Sequence, residues 1–169
     1  MALRAVKAMV LAGLGAGSLL AVASCTQDGG PQTAATPQTT TPGFGLFYLD
    51  EGASAKLAYG QANSDDVDLM LECAKGSRTV EVTDVARTPG AAVLTLVSSG
   101  ASAKLKTRTE SGDGSVLLVA DTAVDAAPLS AFRRTGRLEV AQAGVRHGLV
   151  ASADERVGVE RFFVACERG

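Results

Sequence analysis

The sequence predicts a mainly β fold, an antiparallel sandwich or barrel with one short helix and a second helix at the C-terminus. Three observations lead there. Apolar and polar residues alternate in several short segments downstream of Phe44. Two continuous apolar runs, 93–97 and 116–120, have the length of buried strands. One apolar stripe with helical spacing closes the chain.

Taken in order, residues 68–73 alternate so that Leu69, Leu71 and Cys73 share a face. Lys75-Gly76-Ser77 is a turn, and residues 79–85 alternate again through Val80 and Val82, which makes a hairpin. Residues 102–110 read as one half-exposed strand, with Ala103 and Leu105 inward and Lys104, Lys106 and Arg108 outward. Pro128 early and Gly136 late bracket one or two helical turns. Residues 138–142 and 145–151 form a late hairpin around Ala143-Gly144. Val159, Phe162, Phe163 and Cys166 recur at i, i+3, i+4 and i+7, and Ser152 with Glu155 offers a capping box ahead of them. A strand there would send Phe162 and Phe163 to opposite faces, so a helix is expected. The expected core comprises Tyr48 and Leu57, the inward residues of the first hairpin, Leu94, Leu96, Leu105, Leu117 and Phe163.

The hexapeptide Gly-Ala-Ser-Ala-Lys-Leu occurs at 52–57 and again at 100–105, and at the same offset Leu69-Met70-Leu71 falls on Leu117-Leu118-Val119. A duplicated β unit and coincidence in an Ala/Gly-rich chain are both open readings.

The N-terminus has a different character. Arg4 and Lys7 precede an apolar run from Ala8 to Val22, about 15 residues and short of the ~20 that span a bilayer. Val22-Ala23-Ser24-Cys25 resembles the lipobox of bacterial lipoproteins. The resemblance implies that residues 1–24 are a signal peptide, that Cys25 takes a diacylglyceryl group, and that acylation of the new amino terminus completes a stable anchor. Thr26 follows, where Asp would be that family's inner-membrane retention signal, so in a Gram-negative envelope the resemblance implies the periplasmic face of the outer membrane. Ala21-Val22-Ala23 also fits ordinary signal peptidase, and an uncleaved anchor is a third reading.

Residues 25–43 then form a lipidated, disordered tether, rich in Thr, Pro, Gly and Gln and without apolar periodicity. Its flexible reach is on the order of 25 Å and its stretched reach about 60 Å. Residues 44–169 make a single β-rich domain, in keeping with a chain of 169 residues. Cysteine arithmetic agrees with this layout: lipid on Cys25 leaves Cys73 and Cys166 as an even pair in an oxidising compartment. Both lie in apolar phase, so a disulfide is expected, two separate buried thiols being the alternative.

Loss of the signal peptide removes two bases and no acid, taking the formal charge from −2 to −4. A mildly acidic chain without clustered basic residues excludes nucleic acid as a partner. His147 is the sole histidine and has no Cys/His cluster around it, so it reads as a strand or turn residue without a metal. Asp65, Asp66 and Asp68 lack the Gly and distal Glu of a calcium loop and read as a solvated turn. Residues 111–114 are turn chemistry. No catalytic, metal or cofactor motif is present, and no cofactor is expected.

Cys73-Ala74-Lys75-Gly76, Val80-Glu81-Val82 and Ser99-Gly100-Ala101 resemble the layout of the small lipoproteins that inhibit C-type lysozyme. That resemblance implies a β-barrel, an early Cys bonded to a C-terminal one, and a binding loop at Ser99-Gly100. Ala103 stands where that family has Tyr, and its downstream Trp and Tyr are absent. The expectation is a non-catalytic envelope lipoprotein, held to the membrane by its lipid, whose module binds an envelope protein or glycan. A lysozyme-inhibitor-like protein and a hydrolase using scattered carboxylates are the alternatives.

Overall fold

A computed structural model describes residues 40–112 and 114–168. The expected signal peptide, Cys25 and most of the expected tether lie outside them. In chain order the elements are β1 (Phe44–Glu51), β2 (Ser54–Gln61), β3 (Val67–Ala74), β4 (Thr79–Val85), β5 (Val93–Ser98), β6 (Ala101–Lys106), β7 (Arg108–Ser111), β8 (Val116–Ala123), α1 (Ala127–Thr135), β9 (Arg137–Gln142), β10 (Val145–Val150) and α2 (Glu155–Arg168).

The strands form two antiparallel sheets, ordered β1-β2-β3-β4-β8-β7 and β10-β9-β5-β6. Each ends in unpaired edge strands, so the arrangement is sandwich-like and not the closed barrel that stood as the alternative. Alternation decides which side chains meet. Leu57, Leu69, Leu71, Val80 and Val82 from the large sheet share one core with Leu94, Leu96, Leu138 and Val140 from the small one. The helix α1 packs on β5, β6 and β9, and α2 on β1 and β2.

The N-terminus of α2 is closed as its sequence predicts. Ser152 N–H donates to Glu155 Oε2 at 2.6 Å, and Glu155 N–H to Ser152 Oγ at 3.3 Å. The other oxygen of Glu155 accepts from Leu46 N–H at 2.7 Å, so one carboxyl caps a helix and also satisfies a donor on the edge strand β1. Burial of Glu155 raises its pKa, and hydrogen bonds from Leu46 and Ser152 outweigh that and hold it below the usual value. Val159, Phe162, Phe163 and Cys166 are all buried, as the stripe requires. Phe163 meets Phe132 of α1 edge to face, and Arg133 covers the Phe163 ring while pairing with Glu160 and Glu167.

The Cys73 and Cys166 sulfurs lie at disulfide distance, with Cα atoms 5.7 Å apart. The turn after Cys73 closes the same end of α2. Gly76 N–H donates to Ala165 O and Arg78 N–H to Cys166 O, which occupies two carbonyls the helix leaves free at its C-terminus.

Three expectations need correction. Residues 102–110 are not one strand. Thr107 is a corner whose N–H still bonds Ala92 O beside the small sheet, and Arg108 starts pairing with Val119 in the large one. Leu117 does not enter the core. β8 pairs with β4 through Val82↔Ala120, so Leu118 and Ala120 face inward and Leu117 faces out beside Val85. An unbroken apolar run has no alternation to fix its phase, so register alone decides. Tyr48 is only half-buried and packs at the margin of the core.

The repeated hexapeptide is used in two ways. Its first copy starts at the first residue of a two-residue turn, Gly52-Ala53, and its second copy at the second residue of another, Ser99-Gly100. After the first copy, β2 pairs with β3; after the second, the chain leaves the sheet.

Candidate functional site

The inward face of β4 places a carboxyl in the core. Val80, Val82 and Asp84 share that face, and Asp84 is fully buried. Gln142 of β9, also fully buried, donates through Nε2 to Asp84 Oδ2 and to Val85 O at 2.8 Å, while its Oε1 accepts from Arg87 N–H at 2.9 Å. The amide therefore has its donors and acceptor engaged and staples β9 to β4 and to the loop that follows. His147 of β10 brings Nε2 to 3.0 Å from Asp84 Oδ1 and 3.1 Å from Oδ2. The second contact has hydrogen-bond geometry, and Oδ1 receives no aligned donor. His147 is thus the partner of a buried acid, which its local sequence does not announce. No group of three or more metal-ligating residues occurs among the described residues.

The opposite, outward face of the large sheet is built by the same alternation. Phe47 and Leu49 of β1 are 39% and 44% exposed. In register beside them run Ala58, Met70, Thr83 and Val119, each on the next strand, with Val85 and Leu117 one step along. Met70, Val85 and Leu117 are half-buried. Next to this strip lies a charged row. Lys56, Glu72, Glu81 and Asp121 are successive cross-strand neighbours, so Glu72 opposes Glu81 and Glu81 opposes Asp121.

Lys56 answers with Glu51 at 2.8 Å and Glu72 at 3.6 Å, and the bond to Glu51 chiefly raises its pKa. Arg108 contacts Glu81, Glu110 and Asp121, and the bond to Glu81 chiefly raises its pKa. At the far end of the strip an open cleft of about 510 Å³ is lined by Asp65, Asp68, Met70, Val85 and Leu117, with Asp68 paired to Arg87 at 3.0 Å. The acidic run at 65–68 therefore borders a cleft in addition to preceding a strand.

A bulge at Tyr59/Gly60 shifts the register of β2 on β3, and a Cβ on Gly60 would collide with the carbonyl oxygen of Asp66.

Ser99 and Gly100 form the exposed two-residue β5–β6 turn, both with positive φ, the conformation that suits right-twisted hairpins. Beside it Ser98 Oγ donates to Arg137 O at 2.7 Å. Of the sequence-predicted site residues, the fold brings Cys73 and Cys166 together and leaves Ser99 and Gly100 on a turn of the small sheet. Sequence reasoning missed Asp84 and Gln142. The signal for Asp84 was available, since the alternation through Val80 and Val82 continues to it.

No helix among the described residues is long and apolar enough to cross a membrane. Comparison with protein-family models, curated proteins and solved structures finds no significant match to this chain.

Proposed function

We propose that the protein is a non-catalytic lipoprotein of the cell envelope, held by lipid on Cys25 and presenting its β-rich domain to an envelope protein or glycan. The observation that favours a binding module is the outward face of the large sheet, where Phe47 and Leu49 stand exposed beside half-buried Met70, Val85 and Leu117. Contiguous apolar surface of this kind marks interaction sites. The clefts around the domain are open and shared with charged residues, which suits a broad contact.

The anchoring half is tested by palmitate labelling and detergent partition. Wild type incorporates label and Cys25→Ser does not, with the domain folded in both. Unlipidated wild type in the soluble periplasm overturns it. The binding half is tested with a photocrosslinking residue at position 70 or 99 in the native envelope. Crosslinks from 70 support the sheet face.

Crosslinks confined to 99 favour the second reading, a lysozyme-inhibitor-like protein using the Ser99-Gly100 turn. The paired Cys73 and Cys166 favour that layout. Inhibition of a C-type lysozyme, lost on changing the turn, is its test.

A further inference from the structure

We propose that the outward face of the six-stranded sheet docks a basic partner protein, one that sets Lys and Arg side chains against the acidic row and apolar side chains on the strip from Phe47 to Leu117. This rests on the reading of the domain as a binding module and names the chemistry of its partner.

The strip crosses β1, β2, β3, β4 and β8, about 19 Å at the usual strand spacing. Its charged surroundings are one-sided. Glu51, Glu72, Glu81, Glu110 and Asp121 flank it, and Asp65 and Asp68 line the cleft at its end. Against these seven carboxyls the same face has three cations, Lys56, Arg87 and Arg108, each already engaged by at least one of the seven. The excess is four negative charges. The remaining described residues comprise eleven Lys and Arg and nine Asp and Glu, so the rest of the domain is formally positive. A chain of small net charge is therefore polarised, with its negative pole on the sheet face that exposes Phe47 and Leu49.

The row itself points the same way. Glu72 opposite Glu81, and Glu81 opposite Asp121, are like charges in direct cross-strand register, an arrangement that costs a sheet stability. Lys56 and Arg108 offset part of that repulsion, and a cationic partner would offset the rest. The same excess disfavours a second copy of this face and any anionic lipid surface, because both would bring negative charge against it. A basic protein surface with apolar residues at its centre is complementary in both respects.

The test is an NMR titration of the isotope-labelled Cys25→Ser chain with two short amphipathic probe peptides that share their Leu positions, one carrying Lys and the other Glu. The Lys peptide is expected to shift resonances of Phe47, Leu49, Met70 and Leu117, with affinity falling about tenfold between low salt and about 0.3 M salt.

Glu72→Gln with Glu81→Gln should weaken it about fivefold, and Met70→Ser, which leaves the charge unchanged, about threefold. Glu167→Lys with Asp154→Lys, at the two ends of α2 on the core side of the sheet, should leave affinity within about twofold. The assignment is overturned if the Glu peptide binds as well, if shifts map to the helices, if the distant reversals weaken binding equally, or if phosphatidylglycerol vesicles bind the face instead. Such a result alongside strong crosslinking from position 70 removes the basic partner and keeps the module; loss of both removes the module too.

Discussion

Replacing both Cys73 and Cys166 with Ala probes the bond that ties β3 to the last helix. The two residues are 93 positions apart, so in the unfolded chain the cross-link restricts the domain from the end of β3 to α2 and leaves β1 and β2 outside the loop. The chain-entropy relation gives about 4.7 kcal/mol for a loop of this size, and measured bridges typically contribute about 2–4 kcal/mol. Two features set where this protein falls. Both cysteines are buried, at 3% and 0% exposure, so Ala also leaves unfilled volume. The turn that bonds Ala165 O and Cys166 O gives α2 a second attachment that survives the substitution.

The expected loss is therefore about 3 kcal/mol, a large share of the roughly 5–15 kcal/mol available to a domain. Urea unfolding followed by circular dichroism measures it, with wild type under reducing conditions as a second arm. Reduced wild type and the double variant should unfold at similar midpoints, both well below the oxidised protein. A difference under about 1 kcal/mol between oxidised wild type and the variant would refute the argument from loop length. A non-reduced digest without a peptide pair linked through Cys73 and Cys166 would remove the bond itself.

Leu71→Ala should cost about 2–5 kcal/mol, because Leu71 is 1% exposed at the centre of the large sheet; a loss under about 1 kcal/mol in the same urea assay would contradict its placement. Asp84→Ala should destabilise by about 1–3 kcal/mol by removing one of the two acceptors of Gln142 Nε2 and the partner of His147, and Asp84→Asn, which keeps an acceptor, should cost less. Equal stability of the two variants would argue against the staple. The pKa of Glu155 is lowered in the folded state, so its contribution is complete above the unfolded value, near 4.5, and disappears as pH falls through the folded one. The stability advantage of wild type over Glu155→Gln should accordingly shrink between pH 7 and pH 3 in urea titrations, and an advantage that grows on acidification would refute the assignment.

Much of this fold is written locally. Alternation at 68–73 and 79–85 assigns Leu69, Leu71, Val80 and Val82 to the core because the side-chain period of a strand leaves no choice once one face is apolar. The stripe from Val159 to Cys166 and the Ser152–Glu155 box define the last helix in the same way, through its period and its free N–H groups. Cys73 and Cys166 pair as their apolar phase suggests, each sharing a face with core residues of its own element.

Tertiary structure decided what depends on register between segments distant in sequence. Leu117 and Leu118 are indistinguishable until β8 docks on β4 and Ala120 falls opposite Val82. A strand pattern running past Thr107 gives no hint that its two halves serve different sheets, because both halves satisfy the same alternation. Asp84 becomes a staple only when β9 and β10 bring Gln142 and His147 across from the other sheet. Glu72, Glu81 and Asp121 look like scattered surface acids along the chain, and only hydrogen-bonded register sets them side by side. Periodicity determined which side of the alternating strands is buried, and register did so for the unbroken apolar run of β8. The polarity of the assembled face arose from which strands became neighbours, a choice made by long-range pairing.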